Sequence, residues 1–125
     1  FESNFVSLEI PKNNSVMFGS LSGTKLGVWV AHGEGKFEFP YEEKEYNIIA
    51  KYNYDGYPAN PNGSPWSVAG VCSKDGRHLA MMPHPERAIF PWQCGYYPAD
   101  RKENDEVTPW IEAFVNARKW IENNK

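Results

Sequence analysis

The sequence predicts an α/β domain, an open β-sheet carrying helices. Three observations lead there. Short apolar runs recur along the chain at strand length. An Asp-Gly pair sits between two of them, the strongest short-range hairpin signal. A single apolar stripe at helical spacing closes the sequence.

Each element follows from its residues. In Phe5-Val6-Ser7-Leu8-Glu9-Ile10 the alternation puts Val6, Leu8 and Ile10 on one face, as in a half-buried strand. Lys12 to Ser15 is a polar turn, and Ser15 to Ser22 is a brief helix or a loop. Leu26 to Ala31 is apolar on both faces, which predicts a central strand. It runs into His32-Gly33-Glu34-Gly35, where two glycines force a loop. Phe37 to Tyr46 is acidic and holds one or two helical turns; Asn47 to Tyr52 is a further strand. Between Asp55 and Pro65, Pro and Gly recur too often for a helix or central strand, so a long ordered loop is expected. Ser67 to Cys72 and His78 to Met82 flank Lys74-Asp75-Gly76-Arg77 and predict an antiparallel hairpin. Pro91 to Val107 reads as loop. Thr108 as N-cap and Pro109 at the first helical position then start a helix. Its apolar stripe is Trp110, Ile111, Phe114, Val115, Ala117 and Ile121.

Composition narrows the function. The 125 residues fit one domain or part of one, and 41% hydrophobic against 23% charged residues is enough for a packed core. Thirteen basic against sixteen acidic residues give a net charge of −3 with no basic cluster, which argues against a nucleic-acid partner. No apolar run reaches the roughly 20 residues of a membrane helix, and no signal peptide is visible, so a cytoplasmic protein with no membrane partner is expected. Cys72 and Cys94 are too few for a disulfide scaffold and are expected as reduced thiols. The chain starts inside a strand pattern, as though cut from something longer. If so, Phe5 to Ile10 or Leu26 to Ala31 should present an unpaired edge or an uncovered face.

The chemistry concentrates in Met82-Pro83-His84-Pro85-Glu86-Arg87, directly after an apolar strand. Proline pushes the residue before it into extended backbone, where residues two apart project to one side. His84 and Glu86 should then meet, the carboxylate fixing the tautomer and orientation of the imidazole. That is the base and orienter of a nucleophilic triad; it is equally a loop His beside a surface Glu, and the residues alone leave both open. A metal site finds no support. His84-Pro85-Glu86 lacks the Pro-Cys-x-x-Cys that a zinc deaminase requires, and no pair among His32, His78 and His84 has ligand spacing. His78 reads as a hairpin surface residue. No nucleophile elbow of the Gly-x-Cys-x-Gly or Gly-x-Ser-x-Gly type is present. Cys72 lies in an apolar strand, and Cys94 has no basic neighbour to activate it.

Pro83-His84-Pro85-Glu86-Arg87 resembles the His-Pro-Glu motif of the class I, triad-type glutamine amidotransferases. Val30-Ala31-His32-Gly33-Glu34-Gly35, Asn60-Pro61-Asn62-Gly63-Ser64 and the Trp110-Ile111 to Arg118 stretch narrow the resemblance to the large, single-chain phosphoribosylformylglycinamidine synthases. It spans nearly the whole chain and is least familiar from Gln93 to Asp105. The resemblance implies a flavodoxin-like open sheet of which residues 1–125 are the C-terminal part, the nucleophile-bearing N-terminal half being absent. It implies glutamine as substrate, His84 as catalytic base with Glu86 as its orienter, and His32 and Glu34 near the glutamine pocket. It implies no cofactor in these residues; ATP and Mg belong to the synthetase domain of the parent, and the rest of that parent chain is the partner. An amidotransferase serving another synthetase, or an interaction module keeping His-Pro-Glu as structure, are the alternatives.

Overall fold

The computed structural model describes residues 2–32, 37–53, 60–61 and 63–124. Five strands, β1 (Glu2–Glu9), β2 (Lys25–His32), β3 (Asn47–Tyr52), β4 (Val68–Cys72) and β5 (Leu79–Met81), form one sheet in the order β2-β1-β3-β4-β5. Every neighbouring pair is antiparallel. Two helices follow, α1 (Ala99–Lys102) and α2 (Ile111–Asn123), with single 3₁₀ turns at Gly19–Leu21, Glu43–Glu45, Pro65–Ser67, Pro85–Arg87 and Pro91–Gln93. Among the described residues no helix is long and apolar enough to cross a membrane.

The alternation in β1 works as the sequence predicts. Register pairs Val6 with Val28 and Leu8 with Leu26, and Val6, Leu8 and Ile10 are all buried. Phe18, Leu21, Trp110 and Ala113 complete this core. The other face pairs Phe5 with Trp29, ring edge against ring face at 5.0 Å. Gly27 makes room there, because a Cβ at that position would fall on the Phe5 ring.

β2 is not central. It ends the strand order, and β1 is the interior strand. β2 is apolar on both sides for a different reason: Val28 and Val30 face the core while Gly27 and Trp29 receive Phe5. Its outer edge is not left bare, and neither is β1. The Trp29 carbonyl accepts the His84 N–H at 2.8 Å, and the Gly27 carbonyl accepts the Trp110 indole N–H at 2.8 Å.

The β4–β5 hairpin forms as predicted, with Gly70 opposite Met81 and Cys72 opposite Leu79. Gly76 holds its turn at φ +77°, and a Cβ there would collide with the Asn14 carbonyl. Gly76→Ala therefore combines a left-handed backbone penalty with a clash against main chain. A loss of about 2–4 kcal/mol is expected, read as a lower urea midpoint; an unchanged midpoint would show that the turn adapts.

The C-terminal third departs from expectation twice. Pro91 to Val107 is not all loop: it holds a 3₁₀ turn and α1, tied down by Arg101 and Tyr97, both bonded to Asp105. Thr108 does not cap α2, which begins only at Ile111. The Thr108 hydroxyl instead donates to the carbonyl of buried Ala88 at 2.6 Å, a group that would otherwise lack a partner. Of the predicted stripe Trp110 is buried, but Phe114, Val115 and Ile121 are exposed. α2 packs against the 3₁₀ turn at Gly19–Leu21 and leaves that side uncovered. The predicted loop from Asp55 to Pro65 lies largely outside the described residues. At its end Trp66 and Ser67 both take positive φ, with Trp66 stacked on Phe39 at 5.2 Å.

Candidate active site

The Pro-His-Pro segment leaves β5 and crosses to β2. His84 pairs with Trp29 as an isolated antiparallel bridge. Pro85 then opens a 3₁₀ turn, where its fixed φ suits the first position and its missing N–H costs nothing. The Arg87 and Ala88 N–H groups close that turn on the His84 and Pro85 carbonyls at 3.0 and 2.9 Å.

His84 and Glu86 do meet: Nδ1 and Oε1 lie 2.7 Å apart. The route differs from the expected one. The two side chains come together across a turn, not along extended backbone, because Pro85 bends the chain immediately after His84. A carboxylate can only accept, so Nδ1 carries the hydrogen, and in the neutral ring the lone pair lies on Nε2. The His84 side chain is 30% exposed and that of Glu86 56%. An apolar groove of about 300 Å³ runs beside them, lined by Met17, Leu79, Met81, Pro83 and Phe114 among others. A base with a fixed tautomer facing a groove is what general-base chemistry requires.

The other candidates separate from this pair. His32 is the last residue of β2, its backbone paired with Glu2. Glu34 lies outside the described residues. His78 is exposed on the hairpin, as expected. Among the described residues no group of three His, Cys, Asp or Glu side chains could hold a metal ion.

Neither cysteine is activated. Both are unbonded. Burial pushes the Cys72 thiol up, and the Asp75 carboxylate adds to that against a hydrogen bond from Asn47. Burial likewise raises Cys94, with Lys102 only partly opposing it. A thiol held protonated is a poor nucleophile. Asp75 goes the other way: bonds from the Ser73 hydroxyl and the Arg77 main chain and guanidinium hold it down to about 2.

Two residues that sequence reasoning missed support the segment, Trp29 and Gln93. The Trp29 indole N–H donates to the Gln93 carbonyl at 2.6 Å, and the Gln93 side-chain oxygen accepts from Ile89 and Phe90. A Gln three residues after the N-cap of a 3₁₀ turn is the available signal, but Phe90 in the capping position conceals it.

Comparison with known proteins shows what the chain is similar to. Phosphoribosylformylglycinamidine synthase of Homo sapiens is 42% identical over 132 residues, covering 96% of this chain. A probable chloroplastic/mitochondrial phosphoribosylformylglycinamidine synthase of Arabidopsis thaliana is 43% identical over 136 residues, covering 98%. The chain spans only 10% of the length of either. A chain of the PurLQS structure from Thermotoga maritima matches with a TM-score of 0.70 at 23% identity, over 96% of this chain and 48% of that one. At that identity the likeness is one of fold: the antiparallel sheet is part of a glutamine amidotransferase fold. The model of the CobB/CobQ-like glutamine amidotransferase domain matches residues 1–121, and the chain belongs to that family.

Proposed function

We propose that this chain is the His/Glu-bearing part of the glutaminase of a phosphoribosylformylglycinamidine synthase. It would supply ammonia from glutamine for the ATP-dependent conversion of formylglycinamide ribonucleotide to formylglycinamidine ribonucleotide in purine biosynthesis. The observation that carries the reading is the His84–Glu86 pair at 2.7 Å on a segment bonded to β2.

The chemistry follows from the lone pair on Nε2. His84 takes the proton of a cysteine thiol, and the thiolate attacks the side-chain carboxamide carbon of glutamine. His84 returns that proton to the departing nitrogen, and ammonia leaves. Water, deprotonated by His84, then cleaves the thioester to glutamate and restores the thiol. Glu86 holds the ring and stabilises the imidazolium formed in each step. The nucleophile is assigned to a part of the amidotransferase domain outside these residues; burial raises both the Cys72 and the Cys94 thiol, which makes neither a ready thiolate. His32, at the end of β2, and Glu34 are assigned to glutamine binding. ATP and Mg are assigned to a synthetase domain elsewhere in the parent chain. Two unbonded thiols fit a reducing, cytoplasmic setting.

The test uses the parent synthase and an electrophilic glutamine analogue. Labelling is expected at a cysteine outside these residues and at neither Cys72 nor Cys94; residues 1–125 alone should release no ammonia from glutamine. Stoichiometric labelling of Cys72 or Cys94, lost on its change to Ser, would overturn the assignment.

A further inference from the structure

We infer that Trp29 and Gln93 form a latch that sets the position of the His84–Glu86 pair, so that the rate of glutamine hydrolysis depends on two residues that need not touch substrate. The latch rests on the reading of His84 as the base of the glutaminase.

Its basis is a closed ring of bonds. The Trp29 main-chain carbonyl accepts the His84 N–H at 2.8 Å, at the front of the segment. The indole N–H of the same residue donates to the Gln93 carbonyl at 2.6 Å, at its back. One residue of β2 therefore grips the segment 84–93 at both ends. Between those points Gln93 turns inward: its Oε1 accepts the Ile89 N–H at 3.0 Å and the Phe90 N–H at 2.9 Å, while its own N–H donates to the Phe90 carbonyl at 2.9 Å. The segment is also tied to the chain just before α2, since the Thr108 N–H and hydroxyl donate to the Ile89 and Ala88 carbonyls. Trp29 is itself fixed by the Phe5 ring at 5.0 Å.

The latch matters because the His84 and Glu86 side chains are both partly exposed at the rim of a groove. Their placement relative to an incoming thiol comes from the backbone that bears them. A displacement of about 1 Å in a catalytic group can cost on the order of 10²-fold in rate. Loss of the indole donor frees the back of the segment. Loss of the Gln93 acceptor strands two N–H groups and frees its middle.

The chemistry of each contact selects the variants. Gln93 uses its side-chain oxygen as an acceptor, which a carboxylate also provides, so Gln93→Glu should keep the latch and Gln93→Leu should break it. Trp29→Phe keeps an aromatic ring against Phe5 and removes the donor. The experiment is steady-state kinetics of the parent synthase with glutamine and, separately, with ammonium salt. Gln93→Leu and Trp29→Phe are expected to lower kcat with glutamine by about 10- to 100-fold, with KM within about 3-fold. Gln93→Glu is expected within about 3-fold of the parent, and ammonium-dependent turnover should be unchanged in all three. Should Gln93→Leu fail to fold, Trp29→Phe carries the test alone. A parent-like kcat in Gln93→Leu or Trp29→Phe overturns the latch. So does a loss in Gln93→Glu as deep as in Gln93→Leu, or a parallel loss of both activities. His84→Ala, run alongside, separates the two levels. If it retains glutamine turnover, the site reading itself has failed and the latch with it; if it is inactive while the latch variants are not, only the latch has failed.

Discussion

His84→Ala in the parent synthase should abolish glutamine-dependent product formation and leave synthesis from added ammonium salt largely intact. The path of the proton sets this expectation. In the proposed reaction His84 accepts one from the attacking thiol and returns it to the leaving nitrogen, and no other titratable side chain shares the turn except Glu86 and Arg87. Glu86 is bonded to Nδ1 on the far side of the ring, and an arginine stays protonated. Removal of a general base typically costs ~10²–10⁴-fold. On the proposed function the synthetase reaction lies outside these residues, so a rate with added ammonium should not pass through the imidazole. Glu86→Gln keeps an oxygen that can accept from Nδ1 but loses the charge that stabilises the imidazolium, and should show the same pattern with a smaller loss. Near-normal turnover of glutamine by His84→Ala would end the catalytic reading. Equal loss of both activities would make the residue structural.

The largest stability effect is expected at Trp110. Its side chain is 1% exposed, tilted against Phe18 at 5.7 Å, and its indole N–H pairs the Gly27 carbonyl at the outer edge of β2. Trp110→Ala removes both the volume and that bond, and a loss of about 3–5 kcal/mol is expected. Trp110→Phe keeps most of the packing but leaves the carbonyl unpaired, for a loss of about 1–3 kcal/mol. Urea unfolding monitored by circular dichroism reads both. A Trp110→Ala midpoint close to that of the unchanged chain would mean that α2 is only loosely joined to the sheet.

What the sequence made legible divides along local and non-local lines. β1, β3 and the β4–β5 hairpin come from alternation and from the Asp-Gly turn, signals contained in a few residues. The meeting of His84 and Glu86 was also legible, because residues two apart have few ways to avoid each other beside proline. The 3₁₀ turn that brings them together was not: proline restrains the residue before it, His84, and leaves the backbone after Pro85 free to turn. β2 misled for a related reason. Apolar residues on both faces imply a central strand only if strands pair both edges, and here β1 pairs one edge of β2 while the Trp110 indole and the His84 segment, from distant positions, take the other. Thr108 has the residue type and position of a helix cap, but the buried Ala88 carbonyl claims its hydroxyl. The partners of Trp29 and Gln93 lie far apart in the chain, where pattern alone has no reach.

Among the described residues β1 joins β3 through Leu8 with Tyr52 and Glu9 with Lys51, and the join is extended by the Asn53 N–H to the Ser7 carbonyl and the Asn53 side chain to the Ser7 hydroxyl, both at 3.0 Å. This described seam is shorter than the eight-pair ladder of β1 with β2, and it divides the sheet into two blocks, β2–β1 and β3–β4–β5. The seam must bring residue 8 to residue 52, a longer loop closure than the one that lets β1 pair with β2. Such a join forms late and opens early, so amide protons along the seam should exchange ahead of those in the interior of either block. The His84 segment runs from β5 to β2, the two outer strands. It thus ties the two ends of the strand order together, a main-chain clasp between residues 29 and 84 that lies apart from the seam.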